Sequence, residues 1–222
     1  MKMKFVVVCL AAVLAIPIIA SALTITQTDS FTGSVLDFTR VSTFNKFDTM
    51  GGTLTLNSVT MKVSFQINSG SFIADNDAAS AANITYTYSV TGNLTSGQVF
   101  ISPAVGVSIS DSVALNLAAE NGDGTGVIDG NGPDGAFVAP DSAVYTSSQV
   151  MVMPAMFAGT GTFNTSFATG RTFNISGASG IEGGFTNMTG SGSVEVVYEY
   201  VPEPATLALL GLGGLLIRKR QK

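Results

Sequence analysis

From Val59 to Ile67 the chain alternates without a break, with Val59, Met61, Val63, Phe65 and Ile67 on one side and Thr60, Lys62, Ser64 and Gln66 on the other. A β-strand, with its period of two, puts all five apolar side chains on one face; a helix would scatter them. The same period returns in Ile84, Tyr86, Tyr88 and Val90, and again in Val194, Val196, Tyr198 and Tyr200. Thr53 to Leu56 alternates too, and Asn57-Ser58 is placed to shift the phase through a bulge or turn. Shorter candidates are Val99 with Ile101, Val107 with Ile109, Val113 with Leu115 and Leu117, and Phe173 with Ile175. Thr91-Gly92-Asn93 reads as a turn and Asp75 to Ala82 as a loop. Asp111 to Glu120 suits a capped helix as well as a strand, and is taken as strand. Strands of this length, punctuated by Gly, Asn and Ser, predict an all-β fold built as a single β-sandwich domain. No fixed-period repeat supports a solenoid or propeller.

The two ends break this pattern. Lys2 and Lys4 precede an apolar run from Phe5 to Ala20, and Ala20-Ser21-Ala22 is a small-x-small cleavage site with Leu23 next. Residues 1–22 therefore read as a cleaved signal peptide. At the other end, Pro202-Glu203-Pro204 forms a stiff, extended hinge, because each proline fixes its own φ and restricts its predecessor. Ala205 to Ile217 is uncharged and apolar, and Arg218, Lys219, Arg220 and Lys222 close the chain as a basic cluster that stays on the cytoplasmic side. As a helix those apolar residues span about 20 Å, against about 30 Å of hydrocarbon. Such a segment enters a membrane yet holds there marginally. A plain tail anchor would use the same run and basic end.

Hinge, apolar run and basic end together closely resemble the PEP-CTERM sorting signal of exopolysaccharide-producing bacteria. The resemblance implies transient inner-membrane insertion through a C-terminal helix and cleavage near Pro202-Glu203-Pro204 by a membrane-embedded exosortase. It also implies passage through the secretion machinery, then residence at the cell surface or in the extracellular matrix.

Between the ends, residues 23–200 carry four basic and fourteen acidic residues, a net charge of −10 that the whole-chain value of −5 conceals. An acidic surface of that size repels nucleic acid and anionic lipid, so nucleic-acid binding is excluded as a function. Cys9, the sole cysteine, lies in the signal peptide, which leaves this span without disulfides or thiolate chemistry. The chain has no histidine and no tryptophan. Ser-His-Asp and Cys-His catalysis, histidine-ligated metals and indole sugar platforms all fall away.

Phe44-Asn45-Lys46-Phe47-Asp48, then Gly52-Thr53-Leu54-Thr55 and Val59-Thr60, resemble the choice-of-anchor E domain, found on bacterial exported proteins with interchangeable C-terminal anchors. Asp123-Gly124-Thr125, Gly132-Pro133-Asp134-Gly135 and Val196 to Tyr200 fit it as well. The resemblance covers residues 23–200 and implies a small all-β exported domain without enzymatic activity.

The densest polar stretch, Glu120 to Gly135, sets Asn121, Asp123, Thr125, Gly126 and Asp129 at the spacing of an EF-hand loop. Position 12, where calcium needs a bidentate glutamate, is Gly132. Asp123, Asp129 and Asp134 remain candidate calcium ligands in another geometry; a long Gly/Asn/Asp turn is the plainer account, and no cofactor is expected. Glycoside hydrolysis by two carboxylates is the one enzyme class left open. Glu182 is isolated among glycines, while Glu195 and Glu199 stand about 13 Å apart on one strand face, too far for that chemistry. No catalytic residue is assigned. The tyrosines at 86, 88, 198 and 200 are in phase with apolar neighbours and read as core rather than as a sugar-stacking platform. The sequence thus predicts a non-catalytic structural or adhesive protein of the exopolysaccharide or biofilm matrix. A glycan-binding module, with or without calcium, is the alternative.

Overall fold

A computed structural model describes residues 21–122 and 126–203. The signal-peptide residues up to Ala20, Asp123, Pro204, the apolar run and the basic cluster lie outside the described residues.

Eleven strands form the described fold: β1 (Leu23–Val35), β2 (Thr39–Asn45), β3 (Leu54–Ser69), β4 (Phe72–Asn76), β5 (Ala82–Thr95), β6 (Val105–Leu117), β7 (Gly135–Val138), β8 (Tyr145–Val150), β9 (Thr162–Ser176), β10 (Ile181–Phe185) and β11 (Thr189–Pro202). They make three antiparallel sheets. Sheet A has the order β1-β11-β3-β8, sheet B the order β2-β9-β5-β6, and a small sheet the order β10-β4-β7. The fold is a β-sandwich.

Its core follows the alternation. Val59, Met61, Val63, Phe65 and Ile67 of β3 are fully buried, as are Ile84, Tyr86, Tyr88 and Val90 of β5 and Val194, Val196 and Tyr198 of β11. Aromatic contacts tie the layers. Phe31 and Phe65 of sheet A meet Phe167 of sheet B with ring centroids 5.9 and 5.8 Å apart. The small sheet packs on sheet B through Phe72 stacked on Tyr88 at 4.5 Å and Phe185 set edge-on to Phe173 at 6.3 Å. Each buried phenylalanine contributes about 1.5–3 kcal/mol through removal from water, and each ring pair roughly 1 kcal/mol more.

Several local expectations change. The bulge at Asn57-Ser58 is present: Ser58 pairs with Glu199 and Leu56 with Tyr200, so Asn57 is skipped. The two fragments around Val107 and Leu115 are one strand, β6, because every residue from 105 to 117 finds a partner on β5. Thr91-Gly92-Asn93 is not a turn. β5 passes straight through it, and Gly92 is there because a Cβ would come within 2.3 Å of the Phe167 ring. Val99 and Ile101 form no strand, since the Ser96 hydroxyl accepts the N–H groups of Gln98 and Val99 and turns the chain. Asp75 and Asn76 belong to β4 rather than to a loop, their backbones paired with β10.

Candidate functional site

The hinge leaves from the middle of a sheet. β11 lies between β1 and β3, and its last residue, Pro202, stands opposite Leu54. Proline has no N–H to give the ladder and is tolerated at such a strand end. One residue on, the Glu203 N–H bonds to the Thr53 carbonyl at 2.8 Å, so the sheet holds the first two residues of the expected hinge. On the other side of β11, Leu23 stands opposite Tyr200. Ala22 and Leu23, the expected cleavage site, therefore emerge beside Pro202 and Glu203. The described chain thus begins and ends at one end of the sandwich, hereafter the exit end.

That end is closed by the segment after β2. Phe47 packs against Tyr198 and Tyr200 with ring centroids at 5.8 and 5.2 Å. Burial pushes the Tyr198 hydroxyl well above the ordinary tyrosine range, and it donates to the Asn45 carbonyl at 2.7 Å.

Residues 201–221 match the PEP-CTERM protein-sorting motif. The PEP-CTERM motif marks an exported protein carrying a C-terminal membrane-anchor sorting signal that exosortase processes. Pro202 and Glu203 thus sit at the junction between folded sheet and sorting signal, with no linker between them. The match stops at the last strand residues and does not extend over residues 23–200. No curated protein matches the chain. Among solved structures the chain is similar to a Desmodium yellow mottle tymovirus chain (7% identity, 82% of this chain and 90% of that one, TM-score 0.24). An infectious bursal disease virus Gx strain chain (12%, 80% and 36%, 0.24) and a mud crab tombus-like virus chain (8%, 86% and 86%, 0.25) are similar to the same low degree. Scores of that size carry no argument about this chain.

The second cluster singled out in the sequence lies at the opposite end. Asp134 is buried, and its two carboxylate oxygens accept the backbone N–H of Asn121 at 2.7 Å and its side-chain amide at 2.9 Å. Asp129 accepts the backbone and side-chain N–H of Asn131 at 2.7 and 2.9 Å, and its own N–H goes to buried Asp75 at 2.8 Å. Gly135 lies so close to the carbonyl of Asp129 that a Cβ would sit 2.1 Å from it. These carboxylates are occupied in tying Asn121, Asp129 and Asn131 together and to β4. Among the described residues no three His, Cys, Asp or Glu side chains are grouped to hold a metal.

The sequence reads Asp75 and Asp77 only as part of a loop; the structure buries Asp75 and sets its carboxylate on the Asp129 N–H. Asp77 is pushed above the ordinary carboxylate range, first by burial and then by the charges of Glu182, Asp75 and Glu120. No local signal pointed to Asp75: it is out of phase with Phe72 and Ala74, so alternation places it on the opposite face, and it is buried there between β10 and the Asp129 backbone. Glu182 of β10 stands opposite Asp75 of β4. Glu195 faces Lys62 at 3.9 Å and Glu199 accepts from the Ser58 hydroxyl at 2.9 Å. Both are engaged on the outer face of sheet A, away from Glu182.

Proposed function

We propose that this chain is a non-catalytic structural or adhesive component of an exopolysaccharide or biofilm matrix, delivered there by exosortase. Secretion removes residues 1–22, the apolar run of residues 205–217 lodges in the inner membrane, and the basic cluster Arg218, Lys219, Arg220 and Lys222 stops it. Exosortase then cuts at Pro202-Glu203-Pro204 and releases the acidic domain to the cell surface or matrix. The PEP-CTERM match at residues 201–221 carries the reading. The departure of Leu23 and Pro202 from the same end supports it, since both membrane-directed segments then face one bilayer without the domain having to unfold or turn. The resemblance of residues 23–200 to the choice-of-anchor E domain supports a non-catalytic role. The test follows a C-terminal tag in cells with and without exosortase. The tag is lost only where the enzyme is present; an intact tag in both sinks the reading.

A glycan-binding module is the second reading, favoured by the outer face of sheet B. There Thr85 pairs with Ser176, Thr87 with both Ser112 and Asn174, and Thr87 and Ser112 share a 3.0 Å hydroxyl contact. A hydroxyl-rich face of this kind suits the edges of sugars. Glycan arrays run with and without a chelator decide it: no binding in either leaves the structural role alone.

A further inference from the structure

Three loops build the exit end, residues 46–53, 96–104 and 151–161. Backbone hydrogen bonds hold them together and to sheet A: Phe47 N–H to Phe157 O at 2.8 Å, Gly159 N–H to Phe47 O at 2.9 Å, Val152 N–H to Ser102 O at 2.9 Å and Met151 N–H to Val59 O at 2.8 Å. The second and third loops contain no charged residue. They leave Phe100, Val152 and Met153 exposed at 53%, 61% and 51%, and Met50 of the first loop is exposed at 65%. Beside them a hollow of about 310 Å³ opens between Ile25, Phe47, Met50, Leu54 and Tyr198.

The opposite end also exposes apolar side chains, Val127 and Phe137 among them. There, however, they stand with Asp75, Asp77, Glu120, Asp129, Asp134 and Glu182. The two ends differ in charge more than in apolar surface. Six carboxylates stand at the end away from the tail, against Asp48 and Glu203 at the exit end, where Lys46 lies beside Asp48.

The hinge leaves little slack. Glu203 is fixed to Thr53, and the apolar run begins two residues later at Ala205. Two extended residues reach about 7 Å. The headgroup layer on one side of a bilayer is about 5–8 Å deep. With Ala205 at the hydrocarbon boundary, the exit end therefore stands within the headgroups.

We propose that the exit end is a lipid-contact face. Phe100, Val152, Met153 and Met50 lodge at the headgroup–acyl boundary of a phospholipid bilayer, and the acidic end points away from it. Exposed apolar surface of this sort marks a membrane site when chain geometry presses it against one. The smaller number of carboxylates at the exit end lowers its repulsion from anionic lipid. The face rests on the membrane insertion proposed for the tail. It would hold the Pro202-Glu203-Pro204 joint at a fixed height above the bilayer until the chain is cut.

The absence of tryptophan from the chain makes the test direct. Full-length Phe100→Trp and Val127→Trp variants are reconstituted into phosphatidylethanolamine–phosphatidylglycerol vesicles with brominated acyl chains. The Trp at position 100 is expected to lose most of its emission and the one at 127 to keep it. Met153→Trp is a second probe of the same face should the first variant fold poorly, with the circular dichroism of each variant as the check. A chain that floats with the vesicles while positions 100 and 153 stay bright, or while 127 is quenched equally, overturns the lipid-contact face and leaves the tail reading intact. Shielding of position 100 in a detergent-solubilised dimer, unchanged by brominated lipid, assigns the face to a second copy and overturns it too. A chain that fails to float overturns both.

Discussion

The hydroxyl of Tyr198 donates a 2.7 Å hydrogen bond to the carbonyl of Asn45, joining the centre of sheet A to the last residue of β2 in sheet B. The same carbonyl accepts the Gln27 side-chain amide at 2.9 Å, and the Gln27 oxygen takes the Asn45 N–H at 2.8 Å. β1 and β2 are edge strands of opposite sheets, so a side chain here supplies the pairing that no neighbouring backbone can. Together these bonds fix the segment that leads into the exit end.

Because Asn45 keeps one donor when the other is removed, Tyr198→Phe is expected to cost only about 1 kcal/mol. Gln27→Leu removes two hydrogen bonds, one of them from the Asn45 N–H, and should cost up to about 2 kcal/mol. The double variant leaves the carbonyl with neither donor and is expected to lose at least about 0.5 kcal/mol beyond the sum of the two. Urea unfolding followed by circular dichroism measures all three. Additive losses would show that the two donors act independently.

Gly92 yields the sharpest packing prediction. An alanine Cβ there would lie 2.3 Å from Phe167, which is itself locked between Phe31 and Phe65 and has nowhere to go. Gly92→Ala is expected to destabilise by about 1–3 kcal/mol. The control is Gly97→Ala, whose Cβ would meet nothing within 4 Å and which should stay within about 0.5 kcal/mol of the parent. Equal melting temperatures for the two variants would refute the packing account.

These two sites also show where reading the chain succeeds and where it stops. β3, β5 and β11 were legible because each is flanked on both sides within its sheet and turns an unbroken apolar row inward, so local pattern and burial coincide. β1 was not, because Gln27 and Asp29, in phase with Phe31, are polar. Gln27 clasps Asn45, and Asp29 pairs with Arg40 of β2 at 3.2 Å. An edge strand that holds its neighbour with polar side chains carries no apolar alternation to find. Gly92 misled for a related reason: glycine marks a turn and a close ring contact alike, and Phe167 lies far off in sequence. The sorting hinge could be read directly, since it is a local string at Pro202-Glu203-Pro204. That it emerges beside Leu23 could not, because the pairing of β1 with β11 joins the two extremes of the chain.

Asp134 gives a prediction about calcium. Its two oxygens already accept N–H groups of Asn121, and a cation would have to displace them. Added calcium is therefore expected to leave the melting temperature unchanged. Asp134→Ala, by contrast, should cost about 1.5–3 kcal/mol, the range for hydrogen bonds to a charged group, and should open the segment from Glu120 to Gly135 to proteolysis. Thermal scans with calcium and with chelator test the first statement, and limited proteolysis the second. A calcium-dependent rise in melting temperature would sink it.

The buried tyrosines predict an alkaline limit. Burial pushes Tyr86 and Tyr198 well above the ordinary value of 10.0, and Tyr88 is raised by burial as well, then by the charges of Asp111 and Asp141 against a backbone bond from Asp141. The folded state thus holds these protons more tightly than the unfolded chain does. Their contribution to stability is complete below about pH 10 and is lost as the pH climbs towards the raised folded values. Each tyrosine ionised in the unfolded chain but not in the fold removes about 1.4 kcal/mol per pH unit. Tyrosinate absorbance should therefore rise from these residues together with the loss of the β-sheet circular dichroism, in one cooperative step above about pH 11. Smooth ionisation of all tyrosines near pH 10 with the sheet intact would mean that Tyr86, Tyr88 and Tyr198 are open to water, and the core built around them would be wrong.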